Sequence, residues 1–405
     1  MANWPMLAGD NFGEAVAVNT TRDIPVMGRL DQHTTLANAQ VLVRDTYTWS
    51  GLYCRVITNT LNVAATMSSW KNLAIGNMSV TIGAGLTGVF QDVVNSDNLV
   101  TGDLINHRIS SPAGAGSVTL TLIRGLLNSG TNVPILACTN IGAAVSFGLT
   151  RFYPLGGAAF YGTTEAYAQY RFRVAATLSN LRVYVSVNSL NNSTTCRTRL
   201  AGGPGAQSVS IGAGVTGSFE DAVNTDAVAV GTLVNFEEVT TGTAGSITLT
   251  ALGVKSASLG RQVMTSDVQG ESFSTANGYV VVESELTDTL TELNTQAAAG
   301  AALVARNLFA YVFSSATTAN TFMRLRVNGV NGNLVVTIGA GLTGIFEDTT
   351  NSHILVAADL VNYLVNISGG TLNIVATVLG CQLDQPAAAG RVWSVPVLIQ
   401  GMGVA

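Results

Sequence analysis

The chain has 405 residues, of which 47% are hydrophobic and 11% are charged, and its formal net charge is -5 at pH 7. With only two lysines, Lys71 and Lys255, it lacks the basic stripe that nucleic-acid binding needs, so we expect no DNA or RNA partner. No apolar run approaches the roughly 20 residues of a membrane helix, so membrane insertion is not expected either. The N-terminal sequence MANWPMLAGDNFGE has no basic segment followed by an apolar one, and we expect no secretory signal.

The first third of the chain reads as a series of short strands. Its segments are rich in Val, Ile, Thr and aromatic residues and are separated by turn residues about every 8 to 12 positions, a pattern typical of β-structure. The predicted strands are VLVRDTYTW, LYCRVITN, MSVTIGA, GVFQDV, DLINHRIS and SVTLTLI.

The segment TIGAGLTG, residues 81–88, contains G-x-G-x-x-G after an apolar run, as the dinucleotide-binding fingerprint does. It returns at 337–344, and SIGAGVTG stands at 210–217. A dinucleotide site also needs a helix that begins at the last glycine, whereas VFQD and its counterparts lead into turn residues. We therefore predict the end of one strand, a tight turn or bulge, and the start of the next strand. No cofactor is expected.

These segments mark an internal repeat. Residues 79–107, 208–236 and 335–363 align without a gap. The repeat predicts an all-β chain of three tandem antiparallel β-sandwich domains, jelly-roll-like, over 1–135, 136–257 and 258–405, the last with a C-terminal tail. The domains are expected to pack directly in a pseudo-threefold or a linear arrangement. A helix over 284–306 is an open alternative to strand in the third copy.

An acidic segment follows each glycine-rich turn, with the pattern F-[QE]-D-x-x-N-[ST]-[DH]. Clustered oxygen ligands of this kind could hold Ca²⁺. The alternative is that Asp and Asn make side-chain-to-backbone turns between two strands, and the His353 of the third copy favours it, since His is a poor calcium ligand. We expect structural turns and no metal; the weak calcium candidates are Asp92, Asp97, Asp221, Asp226 and Asp348.

Cysteine and histidine do not form a catalytic pattern. Cys54, Cys196 and Cys381 align with apolar residues of the other copies, which predicts buried free thiols and not disulfides or a zinc site. His107 aligns with Phe236 and Tyr363, and no nucleophile-elbow or HExxH motif is present. No catalytic residue is assigned, and the chain is expected not to be an enzyme.

The segments TRFYPLGG, TEAYAQ, NLRVYVSVNSL and VTIGAGLTGIFEDTTNS resemble a β-rich module of phage-encoded and other surface or virion structural proteins. The resemblance covers most of each copy but consists of turn and core signals. It implies a fold and a structural role, and it identifies no functional residue.

Three hypotheses for function remain open at this point. The first is a non-enzymatic virion protein of a phage, either a capsid decoration or head-fibre component or a tail-fibre or tail-associated one, with itself and other virion proteins as partners. The second is a subunit of an extracellular filament or surface layer whose apolar ends, with Trp4 and Trp393, add strands to neighbours. The third is a glycan-binding adhesin that uses exposed aromatics such as Tyr153, Tyr161 and Tyr167.

Overall fold

The structure is a computed structural model, and it describes the chain with gaps between the described ranges. Those ranges are 2–9, 15–26, 32–129, 135–139, 143–155, 161–258, 261–282, 289–299, 302–369 and 373–384. Almost every element in them is a β-strand, and the strands form three pairs of antiparallel sheets. The all-β prediction is confirmed.

The strands of each pair of sheets come from one third of the chain, and we call these thirds modules 1, 2 and 3. The strands of module 1 are β1 (Ala2–Gly9), β2 (Ala15–Ala17), β3 (Thr20–Ile24), β4 (Val41–Leu42), β5 (Tyr47–Asn59), β6 (Ala65–Lys71), β7 (Ala74–Ile82), β8 (Gly88–Leu99), β9 (Leu104–Ser111) and β10 (Ser117–Ser129). A single-turn 3-10 helix, Leu36–Asn38, precedes β4.

Modules 2 and 3 repeat this order. Module 2 contains β11 (Ile135–Thr139), β12 (Ala144–Ser146), β13 (Thr150–Tyr153), α1 (Glu165–Ala168), β14 (Tyr170–Arg171), β15 (Ala176–Asn188), β16 (Thr194–Leu200), β17 (Gly203–Ile211), β18 (Gly217–Val228), β19 (Leu233–Thr240) and β20 (Ser246–Ser258). Module 3 contains β21 (Arg261–Phe273), β22 (Asn277–Val280), a 3-10 helix (Glu292–Asn294), β23 (Ala297–Ala298), β24 (Leu303–Ser315), β25 (Thr321–Val327), β26 (Val330–Ile338), β27 (Gly344–Leu355), β28 (Leu360–Ile367) and β29 (Ile374–Asp384). The exact domain boundaries near 135 and 258 stay a prediction.

The strand order in each module is that of a jelly roll. In module 1 the first sheet has the order β1-β10-β5-β8, and the second has the order β3-β9-β6-β7. Consecutive strands therefore cross between the sheets, from β5 to β6 and again from β7 to β8, as in the two Greek keys of this fold. The tandem jelly-roll prediction is confirmed.

Alternating burial along the strands builds the core between the two sheets. In β7 the side chains of Met78, Val80 and Ile82 point inward and are at most 7% exposed, while the residues between them face out. Each module has its own cluster of buried side chains. Period-two alternation is what a sheet with one buried face requires.

The repeated glycine-rich segment lies at a turn, as predicted. β7 ends at Ile82 and β8 begins at Gly88, and between them the amide of Leu86 donates to the carbonyl of Gly83 at 3.1 Å. Gly85 has φ +67° and Gly88 has φ +111°, a left-handed region that L side chains rarely adopt. A strand follows directly, so no helix N-terminus is available for a phosphate.

The helical alternative for 284–306 is not found in the described part of that segment. It contains the 3-10 helix Glu292–Asn294, the strand β23 and the start of β24. Packing of β24 into the third jelly roll overrides the weak helical periodicity.

The N-terminal end lies on its own module. Strand β1, which contains Trp4, pairs antiparallel with β10 from Ala2↔Ser129 to Gly9↔Leu122. The filament hypothesis instead requires a terminal strand that pairs with a neighbouring chain. The C-terminal tail with Trp393 lies outside the described residues.

Module 2 buries the carboxylate of Glu238 completely. Glu238 and Tyr153 are both 0% exposed, and the Tyr153 hydroxyl donates to the Glu238 carboxylate. The other modules place Ile109 and Val365 at the position of Glu238. Burial raises the pKa of Glu238 to about 7, against the opposing influences of the Tyr153 hydrogen bond and the nearby Arg151.

This acid predicts a pH-dependent stability. A glutamate in the unfolded chain releases its proton near pH 4.5, so between that pH and about 7 the folded chain holds a proton that the unfolded chain has lost. The free energy of unfolding contributed by Glu238 therefore falls as pH rises through this window, by about 1.4 kcal/mol per unit of pKa difference. We expect E238Q and E238V to lose less stability than the wild type between pH 5 and pH 8 in denaturant titrations. Parallel pH profiles for all three proteins would contradict this account.

Candidate functional site

The candidate calcium residues lie on the last strand of the first sheet in each module. Asp92, on β8, accepts hydrogen bonds from the amides of Ser79 (3.0 Å), Val94 (3.1 Å) and Asn95 (3.0 Å) and from the Asn95 side chain (2.9 Å). Because Ser79 lies on β7, this carboxylate joins the two sheets at the open side of the sandwich. Asp221 and Asp348 repeat the arrangement with the amides of Ser208, Val223, Asn224, Val335, Thr350 and Asn351.

The acidic segment is a bulge inside a strand, not a turn between two strands as predicted. Opposite β5, the register passes from Ser50↔Ser96 to Leu52↔Asp92, so three residues of β8 face the single residue Gly51. Asp92 binds the amides that this bulge frees. Since β8 is an edge strand, the bulge also disturbs the edge at which another chain could pair.

The second acid of the motif is buried beside a neighbouring strand. Asp97 accepts hydrogen bonds from the Ser69 hydroxyl at 2.5 Å and the Asn77 amide at 2.7 Å. Asp226 accepts from the Thr198 hydroxyl at 2.5 Å in the same way. In module 3 the aligned His353 accepts from the Asn333 amide through Nδ1 at 3.3 Å.

The carboxylate oxygens of these acids accept hydrogen bonds from donors within the protein. Among the described residues, no group of three His, Cys, Asp or Glu side chains is arranged to hold a metal ion. The hydrogen bonds are those that the structural interpretation of the motif requires, and the absence of a metal at these acids stays a prediction.

The thiols and His107 belong to the core. Cys54, Cys196 and Cys381 are buried thiols, as predicted, and burial raises the pKa of Cys54 to about 12. His107 packs against Trp49, with ring centroids 5.1 Å apart, and burial lowers its pKa to about 3. Inert thiols and a neutral imidazole of this kind suit packing and not catalysis. The side chain of Cys138 lies outside the described part.

The aromatic residues considered for glycan binding are not an exposed platform. Tyr153 is 0% exposed, so its assignment as an exposed aromatic is wrong; its ring fills the core of module 2. Tyr161 packs edge-on against it, with centroids 6.2 Å apart. Tyr167 lies between modules, 4.7 Å from the ring of Phe313 in module 3.

Charged and aromatic side chains form the contacts between modules. At the first interface, module 1 places Arg44, which follows β4, against β18 of module 2. Its guanidinium pairs with Glu220 at 2.6 Å, and the two side chains are 10% and 29% exposed. Asn180 donates to the same carboxylate at 3.1 Å. Burial, and then Arg44, lower the pKa of the adjacent Arg182.

The second interface uses the aligned residues of modules 2 and 3 and adds aromatic rings. Arg173 pairs with Glu347 at 2.5 Å and stacks on Phe309 at 4.8 Å. Tyr170, on β14, packs against the same Phe309 with centroids 5.6 Å apart. Phe309 and Val378 of module 3 belong to the same buried cluster as the core of module 2, so this interface is an extension of that core.

The third interface joins module 3 back to module 1. Ala297, on β23, packs with Tyr53 and Leu122 of module 1 in a separate buried cluster. Arg124 of module 1 stacks on Tyr53 at 4.8 Å and donates to the carbonyl of Ala298. The aligned residues of the Arg–Glu pair are Gly300 and Gln91, which cannot form an ion pair.

These three interfaces close a ring. In each, the short strand before β5, β15 or β24 of one module lies on the outer face of the first sheet of the next module. Aligned positions make these contacts. The Tyr170–Phe309 contact of the second interface is equivalent to the Ala297–Tyr53 contact of the third, and the Arg44–Glu220 pair of the first is equivalent to Arg173–Glu347 of the second. Head-to-tail interfaces that return to the start form a ring, so the arrangement is pseudo-threefold and not linear.

Equivalent points of such a ring lie at the same height along its pseudo-threefold axis. The turns between β7 and β8, β17 and β18, and β26 and β27 carry the apolar side chains Leu86, Val215 and Leu342, which are 56%, 46% and 53% exposed. The ring therefore presents the same apolar tip three times to its surroundings. No helix within the described ranges is long and apolar enough to cross a membrane.

Comparison with known proteins finds only distant similarities. No protein-family model matches the chain, and no curated protein matches it. A solved structure titled "The Triple Jelly Roll Fold and Turret Assembly in an Archaeal Virus" is 14% identical, with a TM-score of 0.20, over 96% of this chain and 92% of its own. A structure of infectious bursal disease virus, Gt strain, is 10% identical, with a TM-score of 0.17, over 96% and 77%. The fold assignment rests on the strand order.

The bulge carboxylate predicts a stability effect. Burial raises the pKa of Asp221, but hydrogen bonds from Asn224, Ser208 and Val223 outweigh it and lower the pKa to about 2. D221N keeps the shape but loses the charge that these amides bind, so we expect a loss of about 2 kcal/mol of unfolding free energy at pH 7. Because a lowered carboxyl pKa stabilises above the unfolded value of 3.8, the difference from wild type should shrink as pH falls toward 2. Chemical denaturation at pH 7 and pH 3 measures both; an equal difference at the two pH values would contradict the assignment.

The first interface predicts a charge-exchange effect. E220R places two cations together at the junction of modules 1 and 2, whereas the double variant R44E/E220R restores an ion pair in reverse. We expect the single variant to lose stability and the double variant to recover about 0.5–1 kcal/mol of it, less at high salt. Q91R, at the aligned position of module 1, is the matched control. A double variant no more stable than E220R would contradict the pairing.

Proposed function

We propose that this protein is a non-enzymatic structural subunit of a virion, and more specifically a capsid-associated protein of a phage that acts by assembly and surface presentation. The observation that carries the proposal is the closed ring of three jelly rolls within one chain. Viral capsid proteins commonly use the jelly roll, and three covalently linked copies present the surface of a trimer without the concentration dependence of three separate chains.

The ring favours a capsid decoration or head-fibre role over a tail-fibre role. A ring with a pseudo-threefold axis matches the local symmetry of an icosahedral shell at a threefold position. Its tips Leu86, Val215 and Leu342 can meet three equivalent partners at once. Partners are accordingly other copies of the chain or other virion proteins, and the location is the virion.

The two other hypotheses have less support. A filament that grows by strand addition needs a free terminal strand, yet β1 pairs with β10 of its own module. A glycan platform needs exposed aromatic rings, and Tyr153 is buried while Tyr167 lies against module 3.

The proposal is tested in purified particles. Particles from the source culture are separated on a density gradient, their proteins are identified by mass spectrometry, and intact particles are labelled with gold-conjugated antibodies against the purified chain. We expect the chain among the abundant particle proteins, with gold on the capsid. Its presence only in the soluble fraction would refute the virion role, and gold confined to tails would refute the capsid position.

A further inference from the structure

The interface between modules 3 and 1 differs from the other two in its connection. Modules 1 and 2 are consecutive in the chain, and so are modules 2 and 3, which holds each pair at a high effective concentration. Module 3 reaches module 1 only through module 2. Closure of the ring therefore depends more on the contacts of this interface than on the chain.

At this interface the arginine comes from the opposite module compared with the other two interfaces. At the first two, the docking module supplies an arginine, Arg44 or Arg173, to a glutamate of the receiving module. At the third, the receiving module supplies the arginine, Arg124, and the acceptor is the main-chain carbonyl of Ala298. The docking edge, with Ala297 and Ala298, has no long side chain to contribute.

Arg124 has no counterpart in the other modules. The aligned residues are Gly253 and Gly380, so the side chain is an addition to module 1. It is 8% exposed, and its planar group lies between the ring of Tyr53 and the edge of module 3. A guanidinium can be buried at acceptable cost only where it is stacked and hydrogen-bonded, and the docked module 3 supplies the carbonyl.

Opening this interface costs less free energy than opening the second interface. Burial lowers the pKa of Arg124 against the opposing influence of Tyr53, so its surroundings disfavour the charged form. Among the described residues, no group is hydrogen-bonded to its Nε. When module 3 withdraws, the guanidinium regains water, which offsets part of the lost contact. At the second interface, withdrawal would instead expose Phe309 and Val378, which lie in the buried cluster of module 2.

We propose that Arg124 is a latch that closes the ring and that the ring opens at the interface between modules 3 and 1 before it opens elsewhere. Opening uncovers an interaction surface formed by Tyr53, Leu122 and Arg124. Its partner is the edge of module 3 at Ala297–Ala298, which it recognises through a main-chain carbonyl and small side chains. This inference concerns the isolated chain and does not depend on the virion role.

The test is amide hydrogen exchange of R124G. Glycine at the aligned positions of modules 2 and 3 gives a reason to expect folding. We expect exchange over residues 289–299 to rise by about tenfold in R124G, with 162–172, the equivalent segment at the second interface, unchanged. R22G, which removes a half-exposed arginine of module 1 whose guanidinium donates to the carbonyl of its neighbour Thr21, is the matched control.

Two results would overturn the latch. One is unchanged exchange over 289–299 in R124G; the other is an equal rise at both segments, which would mean general destabilisation. The wild type gives a second test that needs no variant. There, segment 289–299 should exchange faster than segment 162–172, and equal or slower exchange would contradict opening at the third interface.

Discussion

The outer face of the first sheet in each module has to be covered, and this requirement organises the molecule. A jelly roll buries the inner faces of its two sheets against each other. In module 3, however, the first sheet also carries Phe309 on its outer side, and this ring is only 2% exposed because module 2 lies over it. Each module covers the next, so three copies complete a cycle in which every such face is covered.

The three copies share a framework and differ where they meet. Strand bounds, the bulge acids Asp92, Asp221 and Asp348, and the glycine-rich turns recur at the same register. Interface residues instead differ as pairs. Two interfaces combine an Arg with a Glu, and the third has Gly300 and Gln91 at the aligned positions. Such differences give each interface its own chemistry, so a given module fits one neighbour better than the other.

Much of the framework could be predicted from the sequence, because turns and alternation are local signals. The glycine-rich segment and the buried Cys54 are of this kind. The residues around Asp92 predict a turn between strands where the structure has a bulge, since Asp and Asn satisfy freed amides equally well in either setting. The interfaces were missed because β4, β14 and β23 are two residues long and carry no periodic pattern. The matched change of Arg44 and Glu220 across the aligned copies is the signal that could have found them.

Closure of one chain into a ring of three jelly rolls is tested most directly by small-angle X-ray scattering of the purified protein. A compact chain of this length should have a radius of gyration near 22 Å, or a few Å more for a ring with an open centre. A monomer above about 30 Å, as three modules in a row would have, would contradict the ring.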